Sequence, residues 1–315
     1  MATSITFIVK PEMLMTAAQM REEKINLLKL GLKNGFESLA WCASRHLIKN
    51  GVLCDLCHIN KNLIKRSNRI DEHFWHCKKC GHSSSVREGS IFVRTKKSMS
   101  QILIIIYGYS HDFSLKQIQI ESSLSDGTIV EWFNFCREIC TKHLQQHPVE
   151  IGGFDENGEP TTVEIDLHRK YHRGADDEQW IFGGVERNSG RLFVTPVVGR
   201  SEETLLPIVS RMILPGSIII SDSWRGYANI SHLGGGVYEH RVLIHQGNFL
   251  DPNDASVHTQ SIRSVWMRAK KKLQTAGKQT SKFDMYLNEF LWRELNKKCN
   301  PFIEFLICIA EQYVV

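Results

Sequence analysis

The sequence predicts an α+β multidomain chain: a helical amino terminus, a cysteine-bounded module, a helix-turn-helix-like helical region, and an α/β layered domain. Three observations carry this. Two Cys-x2-Cys pairs lie close together before residue 81; the texture to about residue 150 is helical; and from Thr161 short β-rich runs alternate with helical stretches. The expected boundaries are 1–50, 51–95, 96–150 and 151–315.

Composition sets the outer limits. The chain has 315 residues, 42% of them hydrophobic, and a formal net charge of +5, enough apolar surface to fold and too little charge for wholesale disorder. The longest apolar runs, Ile102–Tyr109 and Phe305–Ala310, fall far short of the ~20 residues of a membrane span, and Ile5–Val9 is too short for a secretory signal. The expected location is the nucleus or cytoplasm, with no membrane partner. Charge is uneven: residues 51–100 carry 10 basic and 4 acidic side chains, whereas 101–250 carry 12 basic and 19 acidic. A basic amino-terminal third suits a phosphate backbone and a central acidic stretch suits a divalent cation; a solvated surface of uneven charge gives the same counts.

In the first 50 residues Leu27, Leu28, Leu30, Leu32, Phe36, Leu39 and Leu47 recur at helical spacing, broken by Gly31 and Gly35, which predicts two or three short helices. Next, Cys54-x2-Cys57 and Cys77-x2-Cys80, 19 residues apart, bring four thiolates to one tetrahedral structural zinc, with Gly81 at the second knuckle and Phe74, Trp75 and Phe92 as a small apolar core. The remaining cysteines read as core. Beside this zinc ribbon runs a basic series of Lys61, Lys65, Arg66 and Arg69, then Arg87, Arg94, Lys96 and Lys97, suited to nucleic acid or to a solvated face. Helices over Met99–Tyr109, Leu115–Ile120 and Thr128–His143, with a turn at Ser122–Gly127, give the helix-turn-helix-like region; a helical connector fits equally. Gly152–Pro160 reads as a linker.

Beyond it, strands are expected at Thr162–Ile165, Trp180–Glu186, Leu192–Val198, Ser217–Ser221 and Val237–Leu243, and helices at Glu202–Ile213, His258–Leu273 and Lys282–Lys297. Alternation along Thr162–His168 puts Glu164, Asp166 and His168 on one strand face and Val163, Ile165 and Leu167 toward the core. Ser217–Ser221 is a buried strand ending in Asp222, at the kind of strand end where α/β sheets place sites. Two aspartates on adjacent strand ends can hold divalent metals for phosphoryl transfer; taken singly, each is as simply a cap.

These residues together carry a resemblance. The zinc ribbon, Val163-Glu-Ile-Asp166, Lys170-Tyr-His-Arg-Gly174, Ser221-Asp-Ser-Trp-Arg-Gly-Tyr227, Asn248-Phe-Leu-Asp-Pro252, His258-Thr-Gln-Ser-Ile262 with Trp266, and Tyr286-Leu-Asn-Glu-Phe-Leu-Trp-Arg293 resemble the Merlin-type DDE transposases and their bacterial insertion-sequence relatives, in order over about residues 50–297. The resemblance implies an RNase H-like catalytic domain. It further implies Asp166 and Asp222 as the first two metal-binding acidic residues, Mg2+ or Mn2+ as catalytic ion, and double-stranded DNA, both terminal repeats and target, as partner. Cleavage at transposon ends followed by strand transfer, on a homodimer or larger assembly, is the implied reaction.

Two departures stand out. The third acidic position of the family is Arg263 here. A unit charge pair at ~4 Å and an effective dielectric of ~20 is worth roughly 4 kcal/mol, so exchanging attraction for repulsion weakens a metal site badly. The segment between Asp166 and Lys170 is also short, with Leu167 and His168 leading almost directly into the Lys-Tyr-His-Arg-Gly stretch. Glu164, Asp251, Asp254 and Glu289 are candidate replacement ligands, and His258 is the best candidate that is not a carboxylate. The expectation is an impaired transposase, or a catalytically inactive DNA-binding protein derived from one, with Arg268, Lys270, Lys271 and Lys272 as a second phosphate track or a solvated helix face.

Overall fold

The computed structural model describes residues 5–31, 35–93, 95–169, 180–243, 256–273 and 282–313. The chain divides into two compact units, Met1–His143 with Asn296–Val315, and Leu144–Leu295.

The first unit opens with three short helices, α1 (Ala17–Arg21), α2 (Leu27–Gly31) and α3 (Gly35–Ser44). A three-stranded antiparallel sheet follows, β1 (Asn62–Lys65), β2 (His73–His76) and β3 (Ser83–Ser85), in that order. Then come α4 (Met99–Ser110), α5 (Leu115–Ser122) and α6 (Asp126–Gln146). Ser98 and Ser114 open α4 and α5 with capping boxes to Gln101 and Gln117, satisfying backbone N–H groups that a helix start leaves without partners. Ser123, in the left-handed region at φ 56°, ends α5, and buried Leu124 anchors the three-residue turn before α6.

The second unit contains β4 (Ile151–Gly152), β5 (Thr162–Arg169), β6 (Trp180–Glu186), β7 (Leu192–Val197), α7 (Glu202–Met212), β8 (Ile213–Leu214), β9 (Ile218–Asp222), β10 (Glu239–Leu243), α8 (Gln260–Leu273) and α9 (Phe283–Leu295). Its five-stranded sheet runs β10-β9-β5-β6-β7. The β5-β6-β7 part is an antiparallel meander, while β9 pairs parallel with β5 and β10 parallel with β9. The carboxy ends of β5, β7 and β9 therefore open at one edge.

Both sheet faces are covered. Val163, Ile165, Phe182, Phe193 and Ile219 pack with Leu205 and Val209 of α7; Ile181, Val185, Leu192 and Val194 pack with Ile262, Val265 and Trp266 of α8 and Leu287 and Phe290 of α9. Each such fully buried aliphatic or aromatic side chain contributes about 1.5–3 kcal/mol. The Gly152–Pro160 stretch is a tight turn inside this unit and not a linker: Asp155 Oδ1 accepts from the backbone of Asn157 and Glu159, both at 2.9 Å.

The last helix, α10 (Pro301–Gln312), returns to the first unit, so the expected 151–315 domain ends twenty residues early. Its apolar face explains this: Phe302 stacks edge-on against Tyr107 of α4 at 5.1 Å, Phe305 meets Tyr109 at 5.5 Å, and Glu304 makes a two-point pair with Arg21 of α1 at 2.7 and 2.8 Å. Among the described residues no helix is long and apolar enough to cross a membrane.

Candidate functional site

In the first unit, the thiols of Cys54, Cys57, Cys77 and Cys80 lie within 4.8 Å of one another, with Cys54 Sγ and Cys80 Sγ 3.5 Å apart. Thiolates at ~2.3 Å from a tetrahedral ion sit about 3.8 Å apart, so the four could hold a metal such as zinc, and the cluster is compatible with a zinc ribbon. Both knuckles are built alike. His58 N–H donates to the Cys54 carbonyl and Gly81 N–H to that of Cys77, and His58 and Gly81 each take positive φ, 55° and 75°. The backbone N–H of Cys80, aimed at Cys77, leads in pulling that thiol down to about 7, toward the thiolate a metal needs.

The basic series beside the cysteines splits in two. Lys65, Arg66 and Arg69 are exposed, with Arg69 lying over the Phe74 ring at 4.6 Å. Lys61 is instead fully buried, its Nζ donating to Ser84 Oγ at 2.9 Å, which corrects its expected role as a phosphate contact. Arg87 is likewise internal, bound at two points to Asp71, both at 2.6 Å, and donating to the Thr95 carbonyl. Arg94 lies outside the described residues.

In the second unit, Glu164 of β5 pairs in register with Ile220 of β9; two residues on along both parallel strands stand Asp166 and Asp222. The strand pairing ends at Glu164 and Ile220, and the two carboxylates beyond it are near enough for the charge of Asp222 to act on Asp166. Burial, then the charge of Asp222, pushes the Asp166 carboxyl up to about 6. The backbone of Leu167 donates to Asp166 Oδ1 at 2.8 Å and Trp266 Nε1 to Oδ2 at 3.1 Å. Trp266 reaches it because Gly183, paired with Asp166 across the sheet, has no side chain; a Cβ there would meet the indole at 2.8 Å. Tyr227 is buried among the core residues behind the pair. Its hydroxyl has no hydrogen-bond partner among the described residues, and burial with the two aspartate charges raises its pKa well above the ordinary value.

Arg263, in the first turn of α8, is close enough for its charge to favour ionised Asp166. Among the described residues no group of three His, Cys, Asp or Glu ligand atoms lying within 4.8 Å of one another includes Asp166 or Asp222.

The candidate replacement ligands within the described residues are committed elsewhere. Glu164 is fully buried; it accepts from Arg187 Nε at 2.7 Å, Ser261 Oγ at 3.0 Å and the Ile262 backbone at 3.0 Å, and lies 3.2 Å from His258 Nδ1. Arg187 donates on to the carbonyls of Ser256 and His258. Glu164 thus fastens the start of α8 to the sheet, and His258 is part of that fastening. Glu289 is buried against Arg293 at 2.9 Å and Lys272 at 3.4 Å, nine residues along α8 from Arg263. That separation is about 13.5 Å along the helix axis. Asp251, Asp254, and the Lys170–Gly174 and Asn248–Pro252 stretches lie outside the described residues. His168 stacks on Trp266 at 5.2 Å, and burial lowers its pKa.

Of the second basic series, Arg268 is paired at two points with Glu294 at 2.8 and 2.9 Å and Lys272 with Glu289, while Lys270 and Lys271 are exposed. Sequence reasoning missed Arg187 and Tyr227. An arginine just past a strand carries no local signal of its buried carboxylate partner, whereas Tyr227, in the motif that follows Asp222, was open to discovery.

Residues 146–294 match the family model of the ISXO2-like transposase domain. An uncharacterized transposase-like protein of Haemophilus influenzae is 27% identical over 117 residues, 37% of this chain and 90% of that protein. Both similarities support a transposase family, and the family-model match spans Asp166, Asp222 and Arg263.

Proposed function

We propose that this chain is a DDE-type DNA transposase, of an RNase H-like catalytic fold, whose two-metal phosphoryl-transfer site is impaired by Arg263. The observation that carries the reading is that Asp166 and Asp222 each stand two residues beyond the paired Glu164 and Ile220 of parallel strands, near enough for the charge of Asp222 to act on Asp166. A meander of three strands followed by two parallel to the first, with helices on both faces, supports the RNase H-like assignment. The Merlin-type resemblance and a structural zinc on the four cysteines belong to the same reading.

The residues fit a divalent cation. The charge of Asp222 opposes ionisation of Asp166, near a buried tyrosine hydroxyl that has no partner among the described residues. Mg2+ or Mn2+ bound there would supply activation of an attacking oxygen and stabilisation of the leaving one. Asp166 and Asp222 would hold it, with Trp266 and the Leu167 backbone fixing the Asp166 rotamer. Arg263 supplies a positive charge where the third ligand stands in the resembled family, favouring ionised Asp166 while repelling a cation. DNA binding persists in this reading through the exposed Lys65, Arg66, Arg69, Lys270 and Lys271, with Arg268 and Lys272 as ion-paired neighbours.

The test is Mn2+-dependent nicking of supercoiled plasmid by the natural chain and by Arg263→Glu. The reading expects nicking from Arg263→Glu at least about tenfold faster, and its loss when Asp222→Ala is added. Equal nicking by both chains, or nicking that survives Asp222→Ala, contradicts it.

A further inference from the structure

Two arginines, Arg200 and Arg225, stand at the same sheet edge as the aspartates. Arg200 lies three residues past β7, Trp224 two residues past Asp222, and Trp180 opens β6 opposite Arg169. The Arg200 guanidinium is 4.4 Å from the ring centroids of both Trp180 and Trp224. Trp224 is itself fixed, its backbone N–H donating to Asp222 Oδ1 at 3.0 Å and its Nε1 to the Arg200 carbonyl at 3.0 Å. Gly226 permits this closeness, since a Cβ there would come 2.6 Å from the Arg200 carbonyl oxygen and 2.8 Å from Trp224 Nε1. Arg225, exposed, sits 5.7 Å from the Trp224 ring.

Among the described residues neither guanidinium has a hydrogen bond or an ion pair; their recorded contacts are to the indole rings. The cavity here, about 470 Å³, also contains Glu202 and Glu203, but both carboxylates are engaged. Glu202 accepts twice from Asn229 Nδ2, at 2.8 and 2.9 Å, and Glu203 is bound by the Ser201 hydroxyl and its own backbone N–H. An arginine held between two rings has given up its rotamer freedom before any ligand arrives, so its planar fork can meet a tetrahedral oxyanion at reduced entropic cost.

We propose that Arg200 and Arg225, set by Trp180 and Trp224, seat a backbone phosphodiester of a DNA strand passing the Asp166–Asp222 edge. This rests on the nucleic-acid reading above and adds the contact that would place the strand. Arg200 is the preorganised donor and Arg225 the solvent-side one.

The experiment is fluorescence-anisotropy titration of a labelled DNA duplex with the full-length, zinc-loaded chain over a salt series. The natural protein is compared with Arg200→Gln, Arg225→Gln and the double variant, each checked by thermal melting. Each substitution is expected to weaken binding about tenfold and to lower the slope of log affinity against log salt by about 1, and by about 2 in the double variant. Arg225 is exposed, so Arg225→Gln carries the test even where Arg200→Gln fails to fold. Folded variants that keep the natural slope and affinity overturn the seat while leaving DNA binding standing; a natural chain that binds no duplex overturns both. Loss of the arginine-dependent component to inorganic phosphate, but not to chloride of equal ionic strength, marks a free-phosphate site and overturns the assignment to DNA.

Discussion

Asp166 is held in a position where its charge is opposed. Its neighbours Leu167 and Trp266 donate to it and Arg263 favours its ionised form, yet burial and Asp222 outweigh them and raise its carboxyl to about 6. An unfolded aspartate titrates near ~3.9, so between about pH 4 and 6 the folded chain binds the extra proton. The penalty is absent below that window and grows as pH rises through it. Asp166→Asn is therefore expected to raise the unfolding free energy at pH 7.5 by about 1–2 kcal/mol, with the gain vanishing by pH 4. Denaturant unfolding at the two pH values measures it, and a gain independent of pH contradicts the electrostatic account. Glu164 shows why the neighbouring residue was misjudged from sequence. Alternation implied one face toward the core, but helices cover both faces of this sheet, so the polar face of β5 is also interior and Glu164 is spent fastening α8.

At the scale of elements, the cysteine module depends on more than its thiols. Buried Arg87 ties Asp71, ahead of β2, to the Thr95 carbonyl, and breaking a buried pair of this kind leaves an uncompensated charge. Arg87→Ala should cost the module about 3–5 kcal/mol, read as a lowered denaturant midpoint and faster modification of the four cysteines by a thiol reagent. Unchanged thiol reactivity would show the knuckles to be independent of the pair. The knuckle turns were legible because Cys-x2-Cys spacing is a geometric requirement, and β6 because a short, continuously apolar run of that length reads as a strand buried on both faces. Lys61 and Arg87 were not, since nothing in a run of basic residues marks which ones fold inward. Gly152–Pro160 was misread for a related reason: Gly, Asn, Asp and Pro make tight turns and linkers alike, and only the Asp155 hydrogen bonds separate them.

At the scale of the whole molecule, chain order and packing diverge at the carboxy end. The last helix follows the sheet unit in sequence but buries Phe302, Phe305 and Leu306 in the helical unit. No sequence pattern names the partner of an apolar helix face. A chain ending at Leu295 is expected to lose amide protection throughout α3 and α4 in hydrogen exchange while β5, β6 and β9 keep theirs. Protection lost from the sheet instead would place α10 with the wrong unit. The carboxylates are picked out by motif order, and the structure sets them differently from the expected strand ends: Asp222 closes β9, whereas Asp166 lies inside β5, three residues before its end.

The central claim is that Asp166 and Asp222 form a cation site weakened by one arginine. Calorimetric titration of Mn2+ into the zinc-loaded full chain, its Arg263→Glu variant, and Arg263→Glu with Asp222→Ala tests it most directly. The account predicts weak binding by the natural chain, at least about tenfold tighter binding by Arg263→Glu, and none by the double variant. Binding by the natural chain as tight as that of Arg263→Glu would contradict it.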